Sequence, residues 1–247
     1  MTPLEQEILL NLIDSFIDDS LVSEVLECVQ GGKEATVFRC RAAPETGDSF
    51  YAVKVYRPME RRNFKNDSMY QNGRVILNGR SRRAYEGKTD FGRKVQYGRW
   101  VNAEYETQRM LFDAGVDVPR PVACNGSAIL MEWLGTEDAA APQLRRAQFG
   151  PNAAVYLFKS ILGNVELMLR NNVIHGDLSP FNILFHEGGI RIIDFPQAID
   201  ARTNHNAFPL LLRDLEHVYE FFQPHGVRAD PLRIAQSLWA RYLRAEL

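Results

Sequence analysis

Apolar residues near the N-terminus recur at helical spacing. Leu4, Ile8, Leu12 and Phe16, with Leu9 and Ile13, fall near one face of residues 4–18, which predicts a helix packed on the body of the protein. The period then shortens. Leu21–Gln30, Ala35–Arg41 and Phe50–Tyr56 read as strands, and the breaks between them carry Gly31-Gly32 and Pro44-Glu45-Thr46-Gly47-Asp48, both suited to hairpin connections. Trp100–Ala114 reads as a helix closed by Gly115. Pro119 and Pro121 interrupt the chain, and Ala128–Trp133 reads as one more strand. Beyond Gly135 the pattern is helical, over about residues 152–171, 208–222 and 229–245. A strand-rich first half and a helix-rich second half predict an α+β fold of two lobes. Residues 1–134 would form the first, with the N-terminal helix, the sheet, a basic insertion and one helix; residues 135–247 would form the helical second.

Composition narrows the class. With 45% hydrophobic and 24% charged residues, the chain has the balance of an ordinary soluble globular protein. No apolar run approaches the ~20 residues of a membrane helix, so no membrane partner is expected. The opening Met-Thr-Pro-Leu-Glu-Gln-Glu is not a basic segment followed by an apolar stretch and a cleavage site, which argues against secretion. Cys28, Cys40 and Cys124 are widely spaced and odd in number, so neither a disulfide framework nor a Cys-x-x-Cys site is expected, and a cytoplasmic location fits. The histidines lack the spacing of a zinc helix. The net charge of −2 hides a basic stretch: Arg57–Arg99 holds twelve Lys or Arg against Glu60, Asp67, Glu86 and Asp90. It reads either as a solvated insertion or as a surface for phosphate-bearing partners, nucleic acid included. Ser68, Ser81 and Thr89 add hydroxyl groups to it.

The densest chemistry lies at His175-Gly-Asp-Leu-Ser-Pro-Phe-Asn-Ile-Leu184, followed by Ile192-Ile193-Asp194-Phe195. An aspartate, an asparagine five residues on, and a second aspartate after a β-branched run suit phosphoryl transfer with a bound cation. Asp177 would orient and accept the proton of the acceptor hydroxyl, while Asn182 and Asp194 would ligate Mg²⁺ through hard oxygens. His175 reads as a packed support for the loop. Asp and Asn also make ordinary turns, but turn chemistry does not explain Lys54 in Tyr51-Ala-Val-Lys-Val55, which resembles the lysine strand of protein kinases. That ammonium would neutralise nucleotide phosphates and needs a carboxylate to hold it. Glu104 is the candidate; Glu106, two residues on, points to a different face. The loop Val29–Phe38 stands where a glycine-rich phosphate cover would precede the lysine, although its Gly31-Gly32 alone is merely a turn signal.

Taken in order, these segments resemble the RIO family of atypical serine/threonine protein kinases. The resemblance is carried by Gly32-Lys33-Glu34-Ala35-Thr36-Val37-Phe38, by Trp100–Glu106 with Ala114–Pro119, and by Leu130-Met-Glu-Trp-Leu-Gly135. His175–Asn182, Ile193-Asp-Phe-Pro-Gln197 and Arg213–Phe222 complete it. It implies a bilobal protein-kinase-like fold lacking the usual activation segment and peptide-binding helices, which agrees with the short stretch between Asp194 and Arg213-Asp214. It also implies an ATP site built from Gly31, Gly32, Lys33, Glu34, Ala35, Val37, Ala52 and Lys54, with Met131, Glu132 and Leu134 at the hinge and Leu184 and Ile193 below. ATP with Mg²⁺, or Mn²⁺ in its place, would be the cofactor set, and a protein substrate or the chain itself the acceptor. Transient phosphate on Asp194, as in an ATPase switch, is a further implication. No segment long enough for the winged-helix module of one branch precedes the core, and the basic tail of some eukaryotic members is absent, so a compact bacterial-type member is expected. Two alternatives share parts of the pattern: a small-molecule phosphotransferase of the aminoglycoside type, which has the same His-Gly-Asp-x-x-x-x-Asn and Ile-Asp-Phe, and an ATP-gated RNA or ribosome assembly factor with little turnover.

Overall fold

The computed structural model describes residues 3–32, 34–57 and 90–247. Most of the basic insertion, including Ser68, Ser81 and Thr89, therefore lies outside the described residues, as does Lys33. The chain divides into two units. Among the described residues, one gathers the N-terminal segment through Arg57, residues 90–106 and Arg120–Leu134; the other gathers Thr107–Pro119 and Gly135–Leu247.

In the first unit, β1 (Val22–Gly31), β2 (Ala35–Ala42), β3 (Phe50–Tyr56), β4 (Pro121–Cys124) and β5 (Ala128–Glu132) form an antiparallel sheet of order β1-β2-β3-β5-β4. Because side chains alternate across a strand, β3 buries both faces. Tyr51, Val53 and Val55 join Phe38, Cys40 and Leu130 on one face, beneath Leu9, Ile13 and Phe16. Tyr56 and Ile129 pack on the other, against Val101 and the half-buried Tyr97 and Trp100. Burial in the first cluster also pushes the Cys40 thiol up to about 12. Strand β4 begins at Pro121 on the sheet edge, where a missing N–H costs no ladder bond; the proline hides the strand from a pattern of residue types.

Two expected boundaries change. The single helix expected over 4–18 is two, α1 (Pro3–Asn11) and α2 (Asp14–Asp18). Tight bonds from Leu12 N to Leu9 O and Ile13 N to Leu10 O turn the chain. Asn125 caps the break from outside, donating to Leu12 O and Ser15 Oγ at 2.8 Å each. The helix expected from Trp100 instead begins at Asp90, as α3 (Asp90–Asp113). Its inward stripe, Tyr97, Val101, Glu104, Gln108 and Leu111, keeps heptad-like spacing but carries two buried polar residues. The added turns, residues 90–99, hold Gly92, Gly98, Arg93, Lys94 and Arg99, so no apolar period marks them.

The second unit packs α4 (Pro151–Arg170), α5 (Ala207–Phe222) and α6 (Pro231–Leu243) around Leu157, Ile161, Leu211, Val218, Phe222 and Leu238. Asp230 caps α6 by accepting from Arg233 N at 3.1 Å, with Pro231 at the first helical position. Two short ribbons complete the unit: β6 (Val173–Ile174) with β9 (Ile199–Asp200), and β7 (Ile183–His186) with β8 (Gly189–Ile192). Among the described residues no helix is long and apolar enough to cross a membrane.

Candidate phosphoryl-transfer site

Lys54 stands in register between Val37 of β2 and Ile129 of β5. The pleat puts Ala35, Val37, Ala52, Lys54 and Met131 on the sheet face that α3 covers. There the Lys54 ammonium meets Glu104 Oε1 at 2.6 Å, with the lysine side chain 13% exposed and the glutamate 2%. The ammonium also lies 5.1 Å from the centre of the Tyr56 ring. Tyr56 is fixed by an edge-to-face contact with Trp100 and by Tyr97, whose hydroxyl donates to Tyr56 O. Glu106 is exposed. Of the two helix carboxylates, Glu104 is the one on the stripe that faces β3.

The loop between β1 and β2 closes through Gly32 N to Ala35 O at 2.8 Å, and Gly31 pairs with Thr36. A Cβ on Gly32 would sit 3.0 Å from Ala35 O, so the turn favours glycine there. Glu34 is exposed, and its carbonyl accepts from Arg57 N. Further along the sheet, Glu132 is held from both sides: its N–H donates to Arg120 O, and its carboxylate accepts from Arg120 N at 3.0 Å. Arg120 in turn grips Asp48 with one nitrogen at 2.9 and 2.8 Å. The Tyr51 hydroxyl, then Arg120, holds the Asp48 carboxyl below the usual range. Leu134 is buried and ends the unit.

In the second unit, Asp177, Asn182 and Asp194 lie on one compact set of loops. Asn182 Nδ2 donates to Asp177 O at 2.8 Å and to Asp177 Oδ2 at 3.2 Å, which leaves its amide oxygen as the end available to a cation. Asn182 O accepts from Ile193 N at 3.0 Å, tying the segment before Asp194 to the asparagine. Buried His175 brackets Asp194: its Nε2 is 3.1 Å from Ile193 O, and its ring lies 4.9 Å from that of Phe195. Asp194 itself has φ +74°, the left-handed region that a non-glycine residue enters at a cost. Leu184 on β7 pairs with Arg191 of β8, and Ile192 N donates to Asp117 O at 2.7 Å. Asp117 is set by Asn164, whose Oδ1 accepts from Asp117 N and whose Nδ2 donates to Asp117 Oδ2.

The residue that organises this loop was read from sequence only as part of a family motif. Asp214 of α5, 2% exposed, accepts from Gly176 N at 2.8 Å through Oδ2 and from Leu178 N at 3.0 Å through Oδ1. It therefore grips the backbone on both sides of Asp177. Arg213 donates to Gly176 O, and Gly176 has φ +79°. Burial pushes the Asp214 carboxyl up to about 7, against the lowering effect of those two N–H donors. Its partners are main-chain groups, so no side-chain spacing marks it; its one signal in the sequence is the Arg-Asp pair within the helix that follows Asp194.

The donor set suits magnesium. Among the described residues no group of three or more His, Cys, Asp or Glu gathers to hold a metal. Asn182 and Asp194 could supply two hard oxygens, and magnesium ordinarily completes so partial a set with water and phosphate oxygens.

Comparison with known proteins identifies the family and the fold. Residues 36–234 match the family described as the RIO domain. The human serine/threonine-protein kinase RIO1 is 28% identical over 214 residues, which cover 86% of this chain and 36% of the human protein. The RIO-type serine/threonine-protein kinase Rio1 of Haloferax volcanii is 30% identical over 229 residues, 87% of this chain and 73% of that protein. The chain thus spans about a third of the human relative and nearly three quarters of the archaeal one. Among solved structures, the Rio2 kinase–ADP/Mg²⁺–phosphoaspartate complex from Chaetomium thermophilum matches with a TM-score of 0.65 at 19% identity, covering 95% of this chain and 69% of that one. At that identity the likeness establishes a two-lobed, kinase-like α+β fold. By the domain it carries from Thr36 to Ile234, the chain belongs to the RIO family, as a RIO1-like member.

Proposed function

We propose that the chain is an ATP- and Mg²⁺-dependent serine/threonine phosphotransferase that acts on protein hydroxyls, its own included. The observation that carries this reading is the Lys54–Glu104 pair, 2.6 Å apart with the carboxylate 2% exposed. A buried ion pair is a weak device for stability, because desolvation cancels much of the Coulomb attraction. Its value lies in holding an ammonium rigidly at a half-buried position, where it meets nucleotide phosphates without reorganisation. Glu104 is then a positioning residue for Lys54. Asp177 orients the acceptor hydroxyl and takes its proton; Asn182 and Asp194 supply the cation's protein oxygens. Bound magnesium would neutralise phosphate charge as the leaving oxygen departs. Ala35, Val37, Ala52 and Met131 give the sheet face an apolar surface suited to an adenine ring.

One observation favours a second step at the same site. Asp194 is strained at φ +74° while both its neighbours are anchored by His175. Strain kept by anchored neighbours marks a working residue. The fungal Rio2 structure contains a phosphoaspartate. In this chain an Asp194 oxygen would bond to the γ-phosphorus as the bond to the β–γ bridging oxygen breaks and ADP leaves; water would then release phosphate.

The test is incubation of wild-type and Asp177→Ala protein with Mg-ATP, followed by ADP measurement and mass spectrometry. Loss of acceptor phosphorylation by ~100-fold or more is expected for Asp177→Ala. Equal phosphorylation in both proteins would defeat the assignment of Asp177. Transfer to a small alcohol with none to protein would favour the aminoglycoside-type alternative. A hydroxylamine-labile phosphate on Asp194 would support the second step.

A further inference from the structure

The catalytic loop carries an exposed aromatic ring that the roles above do not use. Phe181 precedes Asn182 and is 55% exposed, whereas aromatic rings normally contribute to cores. The Arg145 guanidinium carbon lies 4.5 Å from its ring centre. Three further bonds fix this arrangement. Arg145 N donates to Pro180 O at 3.3 Å, Arg145 Nε donates to Gln143 Oε1 at 2.9 Å, and Gln143 Nε2 donates to Phe181 O at 2.9 Å. The short 3₁₀ turn Leu144–Arg146 is thus bound to the turn that bears the candidate base and cation ligand.

Both arginines of that turn are exposed, and among the described residues neither has an acidic partner. Residues 139–149 contain no Asp or Glu. Arginine ordinarily loses much side-chain freedom when it is pinned, so a guanidinium seated on a ring, with both terminal nitrogens unused among the described residues, is prepared for an incoming anion. Its planar fork matches a carboxylate in two-point contact.

We propose that Arg145 and Arg146, with Phe181 as the seat for Arg145, recognise an acidic segment of the acceptor protein beside the hydroxyl to be phosphorylated. The ring face that could stack on a nucleic-acid base is turned to holding the guanidinium, and the reaction proposed above delivers a peptide to this loop; both favour a peptide over RNA. The inference deepens that proposed function and rests on it for the identity of the acceptor.

Binding can be read without catalysis. A fluorescein-labelled peptide bearing one serine flanked by glutamates is compared with its glutamine counterpart by anisotropy, using the full chain at low salt. The acidic peptide should bind ~10-fold or more tightly and weaken as salt is raised. Arg145→Gln/Arg146→Gln should remove that preference. Phe181→Ala should weaken it in part while the unfolding midpoint stays near that of wild type, since surface changes are usually small in stability. In the phosphorylation assay the KM for the acidic peptide should rise more than kcat falls. Equal affinity for acidic and neutral peptides, or an unchanged preference in the double variant, would overturn the proposal. So would tighter binding of single-stranded RNA that the same double variant abolishes. Acidic-peptide binding through these arginines in a protein that transfers no phosphate would leave this recognition site standing and remove the kinase reading instead.

Discussion

Replacing Asp214 by alanine should do more damage than replacing any other single polar residue of the catalytic loop. The side chain is 2% exposed and supplies both acceptors for Gly176 N and Leu178 N, at 2.8 and 3.0 Å. Asp214→Ala leaves two buried donors without acceptors, and each such loss costs ~1–3 kcal/mol. The sum, roughly 2–6 kcal/mol, is a large part of the ~5–15 kcal/mol that holds a domain together. Asp214→Asn keeps one oxygen but turns an amide N–H₂ toward the second donor, so about half of that loss is expected. Urea unfolding followed by circular dichroism at pH 8 measures both. An alanine variant within ~0.5 kcal/mol of wild type would refute the claim that this carboxylate holds the loop. The same residue predicts a pH dependence. Burial raises its folded value from 3.8 to about 7. The folded state therefore binds more protons than the unfolded state in that window, and the stabilising contribution is complete below 3.8 and lost as the pH rises through about 7. The stability of wild type minus that of Asp214→Asn should fall between those limits; a flat or rising difference would show that burial does not govern this carboxyl.

Other outcomes follow from single contacts. Lys54→Ala should weaken nucleotide binding by ~10-fold or more, measured by calorimetry with a non-hydrolysable ATP analogue, because the phosphates lose a preset cation; unchanged affinity would mean that Lys54 does not face the phosphates. Asn182→Ala should raise the magnesium concentration for half-maximal turnover by ~10-fold or more, and an unchanged magnesium profile would remove Asn182 from the ligand set. Gly135→Ala should lower the unfolding midpoint by several degrees, since φ is +152° and an added Cβ would lie 2.4 Å from Ala139 O. A midpoint equal to wild type there would show that the segment 135–140 yields without cost.

Legibility in the sequence followed the range of each interaction. Asp177 and Asn182 are five residues apart, and one turn closes Asn182 onto Asp177, so their nearness was legible from spacing. Strand β3 was legible because Tyr51, Val53 and Val55 alternate with Ala52, Lys54 and Tyr56. The start of α3 was not, because residues 90–99 carry Gly92, Gly98, Arg93, Lys94 and Arg99 within the basic stretch and show no sustained apolar repeat. The bend between α1 and α2 depends on an amide from Asn125, more than a hundred residues away.

By itself, then, the sequence determined the α+β layout, strands β1, β2, β3 and β5 and the three helices of the second unit, and it pointed to the residue types that phosphoryl transfer requires, since these rest on local spacing and side-chain chemistry. Only the tertiary structure decided that His175 brackets Asp194, that Arg145 is seated on Phe181, and that Asp214 holds the backbone around Asp177. Those pairings join distant segments, several of them through main-chain N–H and C=O groups. Every residue except proline carries both groups alike, so no pattern of side chains announces which ones will be used.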